Sequence, residues 1–411
     1  MKRGNRKHIA ILSFALVVVM LGFGMVIPIF PFYIEELGAS GSELGLLVAT
    51  AALLEFIFAP IWGSVSDRTG RKPILMLGMV GYSLSSFLLG LSTQLWMLFA
   101  SRALSGILSS ATLATAMAYV GDSTTEEDRG GGLGILGAAM ALGVIVGPGV
   151  GGWLGADSLS LPFFIAAALS LVALLLIFFL LPESLPLKDR QRSAGKVKTI
   201  QFGALWRALR GPIGILLGLL FLVSFGLTNF EAIFGLYAAE KFGYGPERVG
   251  AILMVIGVVT TVGKATLIGP LTRRWGEAVI IKASLLASSA GFVVLLLANT
   301  YLTILLATGL FILSKTLLRT SVISLASKRA GPSKEAAPRV GQGAVMGLSN
   351  SFMSLGRIVG PIWAGLVFDV NFDYPYLSGA VVMFVGFLIS LVWVSQRGGE
   401  GRQETPAAVG G

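Results

Sequence analysis

The sequence predicts an all-α integral membrane protein with twelve transmembrane helices in two pseudo-symmetric six-helix bundles. Of its 411 residues, 55% are hydrophobic and only 13% are charged, and the mean hydropathy is +0.83. Because soluble domains carry about 25% charged residues, a lipid bilayer is the expected solvent. A short polar loop also occurs twice, once in each half of the chain, which indicates two related halves.

Twelve apolar runs are long enough to cross a bilayer, whose hydrocarbon core requires about 20 helical residues. They lie at roughly 9–34, 44–65, 73–92, 95–120, 131–154, 161–181, 211–239, 248–270, 278–298, 301–325, 340–367 and 374–395. The first run is too long for a signal peptide and contains Pro28 and Pro31, so we expect a retained helix. Even spacing and short connections favour all twelve helices.

These runs define the expected domains. An N-terminal six-helix bundle covers residues 1–181, and a C-terminal six-helix bundle covers 211–396. A basic cytoplasmic linker with Gly and Ser joins them over 182–210. The Gly-rich tail at 397–411 is predicted to be disordered.

The basic residues predict the orientation, because cytoplasmic loops carry an excess of Lys and Arg. Of the 31 basic residues, 23 lie in loops assigned to the inside, 2 in outside loops, and 6 within or at the ends of spans. We therefore expect a multi-pass protein of the cell membrane with both termini in the cytoplasm. Because the net charge of +10 follows topology, the expected partners are the bilayer and a small-molecule substrate, not nucleic acid. The protein is expected to be monomeric.

The repeated loop reads G-S-V-S-D-R-T-G-R-K at 63–72 and, in degraded form, G-P-L-T-R-R-W-G-E at 269–277. Each copy follows one apolar run and precedes the next. The positions shared by the copies, 206 residues apart, are Gly63, Arg68 and Gly70, with Gly269, Arg274 and Gly276. Two halves in parallel repeat place a cavity between them, near the middle of the bilayer.

Three patterns carry a resemblance to the major facilitator superfamily. The loop at 63–72 resembles motif A, G-x-x-x-D-R-x-G-R-K, and Arg102 with Gly106 fits motif B, R-x-x-x-G. The fifth span is similar to motif C, the signature of drug/proton antiporters, through Gly143, Gly147, Pro148, Gly151 and Gly152. The resemblance implies proton-coupled export of hydrophobic or amphipathic compounds, of multidrug or tetracycline type, by alternating access. The proton is then the coupling ion, and no other cofactor is expected.

Other functions stay open at this point. The alternatives are an exporter of a metabolite such as a sugar or amino acid, a flippase of a lipid-linked sugar, and a transporter-like sensor that moves nothing. An enzyme is not expected, because the spans hold neither a metal constellation nor a nucleophile–base pair. The chain has no cysteine, and its single histidine, His8, precedes the first span.

The resemblance implies that the loop at 63–72 is a gate that latches the outward-facing state through charge pairs. The expected gating residues are Gly63, Asp67, Arg68, Gly70, Arg71, Lys72, Asp122 and Arg129. We expect Arg71 to pair with Asp122 and Asp67 with Arg129. The alternative is a positive-inside signal with no gating role. The glycines of the fifth span, spaced by four, predict close helix packing, either as ordinary glycine packing or as part of a hinge or a seal against leak.

Charged residues inside spans are functional candidates because they are costly in lipid. Glu231 in the seventh span and Glu55 in the second could take up and release protons, and the resemblance assigns Arg102 to proton coupling. Glu231 could instead pair with Lys315 or Arg357, and Glu55 with Arg102 or another cation. The predicted substrate cavity uses aromatic, soft and polar side chains, although aromatics could also face lipid or pack. Its residues are Phe30, Asn229, Phe230, Phe234, Tyr237, Met346 and Arg357.

Overall fold

All regular secondary structure described for this chain is helical. The computed structural model describes residues 3–186, 190, 202–211, 213–329 and 342–394, so the predicted tail and most of the linker lie outside it. The helices of the N-terminal half are α1 (Arg3–Glu36), α2 (Gly41–Thr69), α3 (Arg71–Gly90), α4 (Leu95–Leu108), α5 (Ser110–Ser123), α6 (Glu126–Asp157) and α7 (Leu161–Leu180). Helices α4 and α5 form one membrane span, interrupted only at Ser109.

A short helix, α8 (Phe202–Leu209), precedes the second half. The remaining helices are α9 (Gly214–Phe242), α10 (Pro246–Val262), α11 (Ile268–Leu297), α12 (Tyr301–Arg329), α13 (Gln342–Phe368) and α14 (Tyr374–Trp393). A π-helical turn, Gly263–Leu267, joins α10 to α11.

The described part of the chain has 11 helical stretches that could cross a membrane, and one of them contains two crossings. That stretch, Pro246–Leu297, has 52 residues. As a straight helix it would be about 78 Å long, more than twice the hydrocarbon core. The chain reverses at Gly276, whose φ of 73° lies in the left-handed region that glycine tolerates. This break gives twelve crossings and confirms the predicted twelve-helix fold.

The two halves repeat the same packing. Helix α1 packs along α6 in the first half, and α9 packs along α13 in the second. Two further contacts, α2 with α13 and α6 with α10, join the halves, and each is the counterpart of the other under the repeat. We call the end of the bundle that carries the loop at 63–72 the motif end, and the other end, where α2 begins, the opposite end.

The halves meet closely at the opposite end through glycines. A Cβ atom added to Gly45 of α2 would lie 2.2 Å from the Pro361 carbonyl oxygen, and one added to Gly365 would lie 2.2 Å from the Gly41 oxygen. Asp369, just beyond α13, accepts hydrogen bonds from the backbone N–H groups of Gly41 (2.7 Å) and Ser42 (3.0 Å). The second half therefore caps a helix of the first, and the bundle is closed at this end.

Candidate functional site

Two connected spaces lie between the halves. The central cavity, about 340 Å³ in volume, is lined mainly by apolar side chains of α1, α2, α4 to α6 and α9. The second space, which we call the vestibule, is about 660 Å³ and lies at the motif end, where Gly63, Asp67 and Arg71 line it. Ala52, Glu55 and Arg357 line both spaces. The path between the halves is thus open toward the motif end.

Four charged side chains face the central cavity: Glu55, Arg102, Glu231 and Arg357. Glu55 of α2 and Arg357 of α13 form an ion pair between the halves, with 3.1 Å from Oε2 to the guanidinium nitrogen. The alternative pair of Glu55 with Arg102 does not form. Formally, these four side chains sum to zero charge, so the cavity is an apolar space with balanced charge at its wall.

Arg102 is buried in α4 and lies against an aromatic ring. Its guanidinium carbon is 5.0 Å from the ring centroid of Phe30, a distance at which a cation is attracted to the ring face. Its Nε atom has no hydrogen-bond partner among the described residues. Its nearest charged neighbours include Glu55 and Arg357. The first half therefore places the Arg102 guanidinium group at the cavity wall, where it contacts an aromatic ring and forms no ion pair with any acidic residue that the structure describes.

Glu231 is the carboxylate without a direct partner. Among the described residues, no hydrogen bond or ion pair reaches it, and its charged neighbours are Lys315 and Arg357. Lys315 is itself buried behind the cavity wall in α12, and its Nζ atom has no hydrogen-bond partner in the described part of the chain. Neither cation that we considered as a partner of Glu231 is within ion-pair distance. Its carboxylate is free to interact with what enters the cavity.

The structure brings only part of the predicted substrate cavity together. Phe30 and Arg357 line the central cavity, together with Glu231 and its neighbours Thr228 and Ala232 on the same face of α9. Asn229 points the other way and donates a hydrogen bond to the Pro375 carbonyl. Met346 is exposed and lines neither space between the halves.

The predicted aromatic residues of α9 pack inside the second half instead of facing the cavity. Phe230, Phe234 and Tyr237 are fully buried. The ring centroids of Phe230 and Phe234 are 4.9 Å apart, and those of Tyr237 and Tyr376 are 4.4 Å apart. The helical phase explains the difference, because the cavity face of α9 is centred between Thr228, Glu231 and Ala232, and the three rings lie about 110° or more around the helix from that centre.

Sequence reasoning missed five polar residues at the cavity, which are Tyr82, Ser105, Ser109, Ser110 and Thr228. Thr228 lies one turn before Glu231, and that spacing of three residues could have predicted a shared face. Tyr82 of α3 also lines the cavity, next to Arg102. No pattern in the third span distinguishes Tyr82 from other buried aromatics.

The loop at 63–72 is organised around Arg71. Its Nε donates to Asp122 (2.8 Å), and one guanidinium nitrogen donates to Asp67 (2.6 Å) and to the Ser66 hydroxyl (2.7 Å). Thus Arg71 lies beside Asp122 as expected. The expected pair of Asp67 with Arg129 is absent, because Asp67 lies next to Arg71 and a guanidinium nitrogen of Arg129 donates to the Gly121 carbonyl instead.

The start of the linker holds the same loop. The Glu183 carboxylate accepts hydrogen bonds from the backbone N–H groups of Arg71 (2.8 Å) and Lys72 (3.2 Å) and so caps the N-terminus of α3. The Lys72 ammonium donates to the Phe178 carbonyl. Gly70, with a φ of 109°, makes the turn between α2 and α3. All these partners lie in the first half or directly after it. In this state the charge pairs of the loop therefore do not join the two halves.

The glycines of α6 face two different helices. Added Cβ atoms would lie 2.6 Å from Met20 Cβ at Gly143, 2.6 Å from the Leu21 oxygen at Gly147, and 2.5 Å from Met25 Cα at Gly151. These three glycines let α6 approach α1, and Pro148 lies in the same contact, next to Gly24. Gly152 faces the other half, where its Cβ would lie 2.3 Å from the Pro246 oxygen of α10. These glycines therefore allow close packing both within a half and at the contact between the halves.

The described residues offer no group of three or more His, Cys, Asp or Glu side chains that could hold a metal ion.

Comparisons with known proteins agree with this architecture. The sequence model of the Major Facilitator Superfamily matches residues 12–337. Multidrug resistance protein 2 of Bacillus subtilis (strain 168) is 34% identical over 381 residues, which cover 92% of this chain and 93% of that protein. Quinolone resistance protein NorA of Staphylococcus aureus (strain COL) is 29% identical over 94% of this chain and 96% of its own. The crystal structure of the nucleoside transporter NupG has the same fold, with a TM-score of 0.78 at 14% identity, covering 95% of this chain and 99% of that one.

Proposed function

Because this chain belongs to the major facilitator superfamily, we propose that it is a proton-coupled efflux transporter of hydrophobic or amphipathic small molecules, of the multidrug type, working by alternating access. The observation that carries the proposal is Glu231, a carboxylate without a direct partner in a mostly apolar cavity between two halves. The names of the relatives, a multidrug resistance protein and a quinolone resistance protein, support export of drugs. The proposed function is that of a transporter and not of an enzyme.

The proposed orientation places the motif end in the cytoplasm of the cell. The excess of Lys and Arg in the loops at that end supports this orientation, and so do the basic residues near both termini. The closed opposite end then faces outside, and the structure represents an inward-facing state. The cavity is bounded by helices of a single chain, which supports a monomeric transporter.

In the proposed cycle, proton and substrate use the cavity in turn. A substrate enters from the cytoplasm and meets Glu231, which gives up its proton. After the halves rearrange, a proton from outside returns to Glu231 and the substrate leaves. Glu55 is the second proposed proton site, and Arg102 biases both carboxylates through its charge. The cluster of Arg71, Asp67 and Asp122 would then latch the state that is closed at the motif end.

The test is drug-evoked proton movement in proteoliposomes with an imposed pH gradient. We expect tetracycline, ethidium or a fluoroquinolone, added to the wild type, to change the internal pH. A neutral sugar should not. The Glu231→Gln variant should lose the response because the amide cannot exchange a proton.

A matched control is Glu36→Gln, which removes an exposed acid at the end of α1, outside the cavity. This variant should respond like the wild type. If the response survives Glu231→Gln, the proton site moves to Glu55. If no drug evokes proton movement in the wild type, the proposal of drug/proton exchange fails.

A further inference from the structure

The ion pair of Glu55 and Arg357 lies where the two halves separate. Toward the opposite end, α2 and α13 touch through backbone, as Gly45 and Pro361 do. Toward the motif end, residues of the same two helices, such as Gly63 and Asn350, line the open vestibule. Glu55 and Arg357 line both the cavity and the vestibule. A substrate that enters from the vestibule therefore passes this pair first.

The pair is neither buried nor fully solvated. The side chains of Arg357 and Glu55 are 38% and 42% exposed. One hydrogen bond joins them, between a guanidinium nitrogen and Oε2. An ion pair with this much access to solvent is weak, since water screens the attraction and both side chains lose freedom. Another cation could thus displace Arg357 without a large penalty.

The surroundings favour a positive replacement. On α2 the cavity-lining neighbours of Glu55 are the apolar residues Val48, Ala51 and Ala52, and its other charged neighbour, Arg102, forms no ion pair with it. Arg357 also acts on Glu231 and on Arg102, so its position affects every charge of the cavity. When Arg357 leaves Glu55, the first half presents a carboxylate beside an apolar surface, which fits a ligand with one positive charge and an apolar body.

Resting on the proposed function, we propose that Glu55 is a second cation subsite and that Arg357 is its built-in competitor. In the empty cavity the guanidinium group occupies the subsite. An amphipathic organic cation displaces it on entry and contacts Glu55, while the released Arg357 remains near Glu231. The pair thus affects only ligands that reach Glu55: a cation replaces the lost ion pair, whereas an uncharged compound leaves the pair in place and binds elsewhere in the cavity.

Equilibrium binding to the purified full-length protein tests this competition, with tetraphenylphosphonium as the probe. In Arg357→Gln the competitor is gone, and we expect the Kd to fall by about 1.4-fold to fivefold, the range that corresponds to an exposed ion pair of about 0.2–1 kcal/mol. Arg357→Lys retains the positive charge and should bind close to the wild type. Glu55→Gln added to Arg357→Gln should remove the gain. Arg273→Gln, an exposed arginine of the second loop copy, is the matched control and should change nothing.

Chloramphenicol, which carries no charge, distinguishes the loss of the competing positive charge from a simple enlargement of the cavity. Its affinity should be the same in the wild type and in Arg357→Gln. Equal tightening for both probes would mean that the smaller side chain simply enlarges the cavity, and the proposal would be overturned. A second result would also overturn it: the wild type binds the cation measurably, and Arg357→Gln binds it no better. Thermal unfolding of the variant at the wild-type temperature shows that the variant is folded in this comparison. This second result leaves the proposed export function intact, whereas no binding of the cation by any form contradicts both.

Discussion

Closure of the opposite end should depend on Asp369. This carboxylate accepts two backbone hydrogen bonds from Gly41 and Ser42, across the boundary between the halves. Ser40 and Glu43 form a capping box at the start of α2, in which the side chain of each accepts a hydrogen bond from the backbone N–H of the other. Asp369 therefore binds the N–H groups of this helix end that have no partner in the box. Asp369→Ala removes both bonds only from the state that is closed at this end.

The magnitude follows from the exposure of the site. A hydrogen bond to a charged acceptor is worth about 1.5–3 kcal/mol when shielded, but Asp369 is exposed and water replaces it in the open state. A helix cap of this kind contributes about 1 kcal/mol. That energy corresponds to a roughly fivefold shift toward the state open at the opposite end, which is the outward-open state in the proposed orientation. Asp369→Asn, which retains an acceptor oxygen but loses the charge, should give a smaller shift.

The assay uses the absence of native cysteine. Val48, which lines the central cavity, is replaced by cysteine, and a membrane-impermeant maleimide is added from outside. Labelling should be about five times faster in Asp369→Ala, in line with the shift above. The matched control is Asp373→Ala, because Asp373 lies at the same end but pairs with Lys241 of its own half, at 3.7 Å. Equal labelling in Asp369→Ala and in the unmodified background would refute the cap.

Three further predictions concern packing and the loop. Gly147→Val should abolish stable folding or transport, because its Cβ would already lie 2.6 Å from the Leu21 oxygen and overpacking costs about 1–3 kcal/mol or more. Gly137→Val, with open space at its Cβ, should retain both in a thermal-unfolding and flux assay. Gly152→Ala should fold but speed outside labelling of the cavity, since its Cβ meets α10 of the other half; unchanged labelling would contradict this. Arg71→Gln should lower the unfolding temperature, whereas Arg273→Gln should not, because only Arg71 holds two carboxylates.

The charged residues of the site could be predicted from the sequence, but which of the aromatic residues line it could not. Glu231 and Arg357 could be placed at a cavity because charged groups within a span avoid lipid. Phe230 and Phe234 could not be assigned in this way, since an aromatic ring is equally stable in a helix core and at an apolar cavity wall. The repeat predicted the fold because each half reproduces the same packing, down to the contact of Gly147 with Leu21 and of Gly360 with Phe225.

Contacts between elements that are distant in the chain could not be predicted. The pairing of Glu55 with Arg357 depends on how far α2 has slid along α13, which no local pattern specifies. The cap from Glu183 on α3 likewise depends on where the chain returns after α7. Asp67 is a different case, because its partner Arg71 lies only four residues away in the chain, across the turn at Gly70, and the more distant Arg129 does not pair with it.

The seal at the opposite end also has an entropic consequence. Besides the Asp369 side chain, its close contacts join backbone to backbone, through Gly41 with Gly365 and Gly152 with Gly250. Immobilising a flexible side chain at an interface costs about 0.5–1.5 kcal/mol, and glycine has no side chain to immobilise. Shutting this end therefore orders few rotamers, and opening it releases few. The two states can thus stay close in free energy over a wide range of temperature, so that the bundle can close tightly and still reopen in every cycle.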